Sequence, residues 1–415
     1  MKFPHNHVSM TINDDERFVE DSYIKLFLIF LRYGFLAWGG PIAQLALIER
    51  EMVYQKKLLS VGYFNRLIAI YQAFPGPETH EICVHLGTQA KGPLGGLLAG
   101  LGFMMPGFIL MMFLSWLYVL YGITALVTSI LLGIKPAVIA WIVKGGIQLG
   151  RGILLNSTLW SIAITAFFAE IMQVHFIITF LVAGVAYVVL THPQFKSLFK
   201  AVIGFIKKHI QMMFVIVGVA LLFLIYLLFA AESTLSTDPI DKASLLETFL
   251  FGLKCGSLSF GSVYSILSII KTDAIVHGHW LTQTQFIDGL TLAGALPAPF
   301  IIVTTFVGYM AYGFWGGILS TLGTFLIPFL IPMFGYKYLN RIALNQTVRT
   351  FLDGVTAAVA GLIAADMIDI LSQVLINKLT IGIFLASLVF IHFYKSHYAI
   401  VWIVIVGGLL GVILM

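Results

Sequence analysis

The sequence predicts an all-α polytopic membrane protein made of two inverted-topology repeats, with helices broken by glycine and proline and in part re-entrant. Three observations predict it. The 415 residues are 59% hydrophobic and only 10% charged, with a mean hydropathy of +0.97, whereas a soluble domain carries about 25% charged residues. A block of glycines, prolines and one basic residue occurs twice. The segment between the two occurrences carries opposite charge at its two ends.

The composition also excludes several classes. Apolar runs long enough to span a bilayer recur at 97–121, 211–231, 314–334 and 397–415, and the short alternating strands of a β-barrel are absent. Residues 1–22 are polar and mixed in charge, which reads as a cytoplasmic tail and not as a signal peptide. The net charge of +5 fits positive loops on one side of a membrane and implies no nucleic-acid partner. Cys83 and Cys255 have no ligand spacing around them and read as small apolar residues. No P-loop, HExxH or GxSxG is present, so neither ATP-driven transport by this chain alone nor hydrolase chemistry is indicated. No cofactor or metal is implied.

The duplication is read from its register. FLRYGFLAWGGP at 30–41 is answered by GLKCGSLSFGS at 252–262, and Pro75-Gly76-Pro77 by Pro297-Ala298-Pro299. The interval from Arg32 to Lys254 equals that from Pro75 to Pro297. Gly92, Gly95, Gly96, Gly102 and Gly133 are answered by Gly313, Gly316, Gly317, Gly323 and Gly354, all at an interval one position shorter. The predicted organisation is a tail at 1–22, a first repeat at 23–190, a linking segment at 191–243 and a second repeat at 244–415.

The linking segment orients the repeats. Residues 192–210 hold four lysines and no acid, and 231–243 hold three acids and one lysine. By the positive-inside rule the first lies in the cytoplasm and the second outside, with 211–230 crossing between them. If each copy crosses an even number of times, one extra crossing inverts the second copy. The turn near 121–124 is uncharged, whereas its counterpart carries Lys337, Arg341 and Arg349, as inversion requires. Residues 195–208 read as an interfacial helix, with Phe195, Leu198, Phe199, Val202 and Ile206 on one face.

Each repeat has two interruptions. The first is Gly39-Gly40-Pro41, matched by Gly261-Ser262. The second is Pro75-Gly76-Pro77, matched by Pro297-Ala298-Pro299. Proline ends the preceding helix and is tolerated in the first turn of the next. Broken apolar segments at matching places in inverted repeats are a signature of secondary transporters. Irregular backbone at membrane depth persists only where protein or a water-filled cavity surrounds it. Freed amides at a helix N-terminus favour anions. The flanking segments are short, which suggests re-entrant hairpins; ordinary kinks in full crossings are the alternative.

Several charges fall inside apolar runs. Arg32 and Lys254 place a cation at the same position in both copies, at a cost of roughly 2.5–3.5 kcal/mol each on insertion scales. They read as an anion-binding pair, or as cations that snorkel or, for Arg32, pair with Glu49 or Glu51. Glu78, Glu81 and His85 follow the first Pro-Gly-Pro; Glu81 and His85 share a helical face and could relay a proton. The second copy has Phe300, Thr304 and Val307 in or near their places. Asp366 and Asp369 are expected to face an aqueous surface, and Lys135-Pro136 to open a helix. Trp38, Trp141, Trp280 and Trp315 read as interface anchors.

At these residues the sequence resembles the chromate ion transporter family. The first repeat is similar to the family's FGGP-type and PGP blocks at AWGGPIAQLALIERE (37–51) and FPGPETHEICVHLG (74–87). The second is similar at Phe251, at Leu253 to Tyr264 and at WLTQTQFIDGLTLAGALPAPFIIVTTFVGYMAYG (280–313). The resemblance runs over residues 24–412. It implies a multi-pass protein of the cytoplasmic (inner) membrane that exports chromate, with sulfate as a chemically similar ion. It carries the substrate site onto Arg32, Gly39, Gly40, Pro41, Pro75, Gly76, Pro77, Lys254, Gly261, Pro297 and Pro299, with Ser262 added from the repeat match. Two departures, Ala298 for glycine and Gln44 for histidine, bear on the choice of ion.

The combined expectation is a tetrahedral dianion held by helix N-termini at the four breaks and neutralised by Arg32 and Lys254. Rocking of one repeat against the other would alternate access, with proton antiport as a coupling hypothesis. The expected partners are chromate or a sulfate-like anion and the lipid bilayer, with a homodimer as the oligomer considered. The rivals are transport of another small anion, an intramembrane enzyme acting on lipid-like substrates, and a non-transporting assembly subunit.

Overall fold

The computed structural model describes residues 22–72, 74–121, 124–172, 174–191, 243–259, 266–335, 346–394 and 398–414. The tail, the segment 192–242 with its expected interfacial helix and crossing, Gly261 and Ser262, and the basic residues Lys337 and Arg341 lie outside the described residues.

Among the described residues the chain is helical without a strand, and seven helices occur twice in one order. The first half contains α1 (Tyr23–Leu36), α2 (Gly40–Glu49, continued by a π-helical turn Arg50–Gln55), α3 (Val61–Tyr71) and α4 (Glu78–Tyr121). It ends with α5 (Ala125–Ile153), α6 (Ser157–Ile171) and α7 (Phe176–Thr191). The second half contains α8 (Leu245–Leu258), α9 (Ile266–Ile270, continued by a π-helical turn Lys271–His277), α10 (Gln283–Gly294) and α11 (Val303–Leu330, entered through a 3-10 turn Phe300–Ile302). It ends with α12 (Gln346–Val374), α13 (Lys378–Phe393) and α14 (Ala399–Leu414).

The caps repeat with the helices. Ser22 and Ser244 accept the N3 amides of α1 and α8, Ser60 and Thr282 those of α3 and α10, and Asn156 and Asn377 those of α6 and α13. A side-chain oxygen at the N-cap satisfies an amide that the helix cannot, so the helix starts are written locally in both copies.

Four segments are long and apolar enough to cross a membrane by length and composition: 78–121, 125–153, 300–335 and 346–374. Two of these are not single rods. In α4 the backbone leaves the helix at Lys91 (φ −142°) and Gly92 (φ +67°), and in α11 at Tyr312 (φ −140°) and Gly313 (φ +69°). Beyond these turns the chain folds back on itself. A Cβ on Gly87 would lie 2.4 Å from the Gly95 carbonyl, and one on Gly308 2.4 Å from that of Gly316. Eight residues of unbroken helix would separate those positions by about 12 Å. Each is therefore a short arm packed antiparallel on a long one. The arm 78–90 is about 20 Å long, short of the ~30 Å hydrocarbon core.

The halves interlock reciprocally. Within each half, α1 packs on α4 and α8 on α11. Between halves, α5 packs on α13 and α14, while its counterpart α12 packs on α6 and α7. The main core lies where α4, α5, α10, α11 and α12 meet.

Two local expectations are corrected. Lys135-Pro136 does not open a helix; it lies inside α5, which starts at Thr124 with that side chain accepting the Val127 amide. Asp366 does not face water: it is 4% exposed and accepts a 2.6 Å hydrogen bond from Ser268 Oγ, while Asp369 accepts one of 2.7 Å from Lys271 Nζ. Both partners come from α9 and its π-helical turn, far away in sequence.

Candidate functional site

The breaks of one half face the breaks of the other. Gly39 and Gly40 turn the chain into α2 at φ +94° and +75°. In the first turns of α2, Gln44 is buried and donates through Nε2 to the Ala37 carbonyl at 3.0 Å and to the Ala298 carbonyl at 2.8 Å. The first break of the first half is thereby tied to the second break of the second. The reciprocal tie is Gly76 N donating to the Ser259 carbonyl at 3.3 Å, which joins the first half's second break to the end of α8. Three interruptions and the end of α8 are thus tied in two reciprocal contacts between the halves.

The arm after Pro75-Gly76-Pro77 carries the chemistry. Glu78, Thr79, His80, Glu81 and His85 are all buried. Glu81 is 0% exposed, and among the described residues neither carboxylate oxygen has a hydrogen-bond partner. Its carboxyl fits against Gly76, which has φ +148°; a Cβ there would sit 2.8 Å from Glu81 Cδ and 2.9 Å from Oε1. His80 is also 0% exposed. Its ring is enclosed by Phe325 and Phe329 of α11 at 4.9 and 4.7 Å and by Phe103 of α4 at 6.5 Å. An unpaired buried polar group costs about 1–3 kcal/mol, and here several lie within one helical turn.

Glu81 and His85 do not form the expected relay in this structure. His85 Nδ1 meets Tyr71 OH and Nε2 meets Tyr63 OH, each at 3.0 Å, and Gln89 donates to Tyr63 OH. His85 is anchored to α3, whereas Glu81 points into the break.

The two cations also differ. Lys254 Nζ lies 2.8 Å from each carboxylate oxygen of Asp273 and 5.5 Å from the centre of the Phe176 ring. Arg32 is exposed and makes no ion pair among the described residues. The symmetric anion-binding pair read from the sequence is therefore not assembled here, because an acid already neutralises one member. Pro41, Pro75, Pro77, Pro297 and Pro299 flank these turns.

Sequence reasoning missed His80 and the pair Lys135–Asp288. Lys135 Nζ of α5 is 2.7 Å from Asp288 Oδ1 of α10, and Tyr118 OH donates to Asp288 Oδ2 at 2.9 Å. The available signal for His80 was its place between two glutamates immediately after a proline-bounded break. Nothing local pointed to Asp288, whose partners both belong to the other half of the chain.

The comparisons with known proteins agree with this architecture. Residues 24–188 and 246–412 each match the chromate transporter family, one copy per half. The chain belongs to the chromate transporter family. It is 43% identical over 398 residues to the chromate transport protein of Pseudomonas aeruginosa, covering 94% of this chain and 92% of that protein. It is 27% identical over 360 residues to the chromate transport protein of Cupriavidus metallidurans, covering 85% and 84%. It is 25% identical over 397 residues to an uncharacterized transporter of Methanocaldococcus jannaschii, covering 95% of both. No solved structure matches the chain.

Proposed function

We propose that this protein exports chromate across the cytoplasmic membrane by alternating access, and that Glu81 carries a coupled proton. Membership of the chromate transporter family supports the ion, and sulfate is the competing cargo of like shape and charge. The observation that carries the mechanism is a fully buried carboxyl, without a hydrogen-bond partner among the described residues, set against a break that is tied to the other half. Arms too short to cross the hydrocarbon core, each next to a break, support a reading as re-entrant hairpins. The irregular backbone there is enclosed by protein, as membrane depth requires.

Charge sets the sense of the coupling. The N-terminus of the arm at Glu78 favours an anion through its free amides, yet Glu78 and Glu81 occupy its first turn. An ionised Glu81 repels a dianion, and a proton on Glu81 removes that repulsion. Proton and anion therefore bind cooperatively and cross together, in place of the exchange that antiport requires. A dianion with one proton moves one net negative charge outward, which an inside-negative potential assists by about 2.3 kcal/mol per 100 mV. Arg32, exposed on the helix that leads into the first break and without an ion pair among the described residues, is the candidate for compensating charge.

The test is uptake of radiolabelled chromate into everted membrane vesicles, with sulfate as competitor. Uptake that rises when the vesicle interior is made positive supports electrogenic export. Absence of uptake by correctly folded protein ends the chromate reading. In the same assay, Glu81→Gln is expected to bind chromate with an affinity that no longer falls as pH rises, while its uptake ceases to respond to a pH gradient. Variant and wild type are compared on the same ion, so titration of the ligand cancels. A Glu81→Gln variant with the wild-type pH response removes Glu81 from the coupling.

A further inference from the structure

The two halves hold the same charge pair in two different states. Glu51 and Asp273 stand at the same interval in the chain as Arg32 and Lys254, so they are equivalent positions of the two copies. Each half therefore carries a cation on its first helix and an acid on the π-helical turn that follows its second. In the second half the pair is closed, with Lys254 Nζ 2.8 Å from both oxygens of Asp273. In the first half it is open. Arg32 is exposed and unpaired among the described residues, and Glu51 is buried and ion-paired with Arg50 at 3.5 Å. By their equivalence to Lys254 and Asp273, Arg32 and Glu51 occupy the two positions that are paired in the second half.

We propose that these pairs are a reciprocal latch: closing Arg32 onto Glu51 in the first half accompanies release of Lys254 from Asp273 in the second. This inference rests on the alternating-access reading above, though not on the identity of the ion. In a protein of two equivalent halves, one conformation differs from its opposite by exchange of the local arrangements of the halves. An asymmetry at equivalent residues therefore specifies the other state. Glu51 is 3% exposed and already meets Arg50 at 3.5 Å, so closing the latch exchanges one cation for another at the same carboxylate. The closed pair is held from across the interface, because Phe176 of α7 in the first half stands over Lys254. Movement of the halves against each other therefore acts directly on the latch. Each cation sits on the helix that leads into a first break, α1 or α8. Opening a latch thus frees a cation next to the breaks on one side while the opposite side is neutralised.

The experiment uses full-length protein in which Cys83 and Cys255 are replaced by alanine. Arg32→Cys and Glu51→Cys are introduced together, and the yield of a short bifunctional thiol cross-link is measured without any transported ion. The latch predicts a detectable cross-link whose yield rises when Asp273→Asn opens the second pair. It also predicts a return to the starting yield when charge is restored in reverse by Lys254→Asp with Asp273→Lys. No cross-link, or a yield indifferent to Asp273→Asn in protein that remains monodisperse, overturns the proposal. So does failure of the charge-reversed pair to restore the starting yield in folded protein. Because no anion is present, loss of the chromate reading leaves this result unaffected.

Discussion

The arms that follow the two proline-bounded breaks occupy equivalent places and are built from opposite chemistry. After Pro75-Gly76-Pro77 the arm buries Glu78, Thr79, His80 and Glu81, and among the described residues the oxygens of Glu81 and the hydroxyl of Thr79 have no hydrogen bond. After Pro297-Ala298-Pro299 the arm buries threonines that are satisfied. Thr304 Oγ1 donates to the Ile301 carbonyl at 2.9 Å and accepts from Thr324 at 3.0 Å, and Ser320 donates to the Thr304 carbonyl at 2.8 Å. Thr305 meets Thr321 at 2.6 Å. One arm is a closed hydrogen-bond network that cements its hairpin. The other retains unpaired, ionisable groups at a fold position where its twin shows that apolar residues would serve. The two copies therefore share one scaffold while only the first arm buries acids and histidines.

The sharpest way to break this comparison is at the centre of the two breaks. Gly76→Ala is expected to abolish chromate uptake and to lower the thermal midpoint. It forces a side chain into φ +148°, at about 1–3 kcal/mol, and its Cβ would displace the Glu81 carboxyl. Wild-type uptake by this variant would make the fit of Glu81 against the break irrelevant. A smaller effect is expected from Thr304→Val, which removes one member of the satisfied network. It should cost about 1 kcal/mol in thermal unfolding and leave uptake per folded molecule unchanged. Loss of transport without loss of stability would give the second arm a chemical role that the comparison denies. The smallest effect is expected from Ala298→Gly, because Ala298 has no positive φ. A loss of less than about 1 kcal/mol, from added freedom in the unfolded chain, is expected, with uptake retained. Uptake lost on that change would show that the second break tunes the site as closely as the first.

The same contrast explains what could be read in advance. Helix starts were legible because Ser22, Ser60, Asn156 and their counterparts act on amides within the next turn. The duplication was legible because glycines and prolines keep their register from one copy to the other with a slip of a single position. The cations and Glu81 were legible as charges inside apolar runs. The state of each was not. Lys254 is paired because Asp273 lies 19 residues away on a turn whose direction is set by packing. Asp366, expected at a wet surface, is buried because Ser268, 98 residues earlier, folds over it. His85, expected to relay a proton to Glu81, is held by two tyrosines of α3 instead. The segment 78–121 has the hydropathy of one long span, yet Lys91-Gly92 folds it into two arms. Average hydropathy is blind to a reversal, and only the left-handed glycine marked it.

The sequence by itself determined that this is a helical membrane protein in two copies, where its helices start and break, and which residues are out of place in lipid. Those properties depend on composition and on interactions spanning a few residues. Only the tertiary structure decided which charges are neutralised and which stay open, and that breaks of one half are tied to elements of the other. Pairing and burial depend on contacts between residues far apart in the chain, and two equivalent copies can satisfy the same local rules in different states.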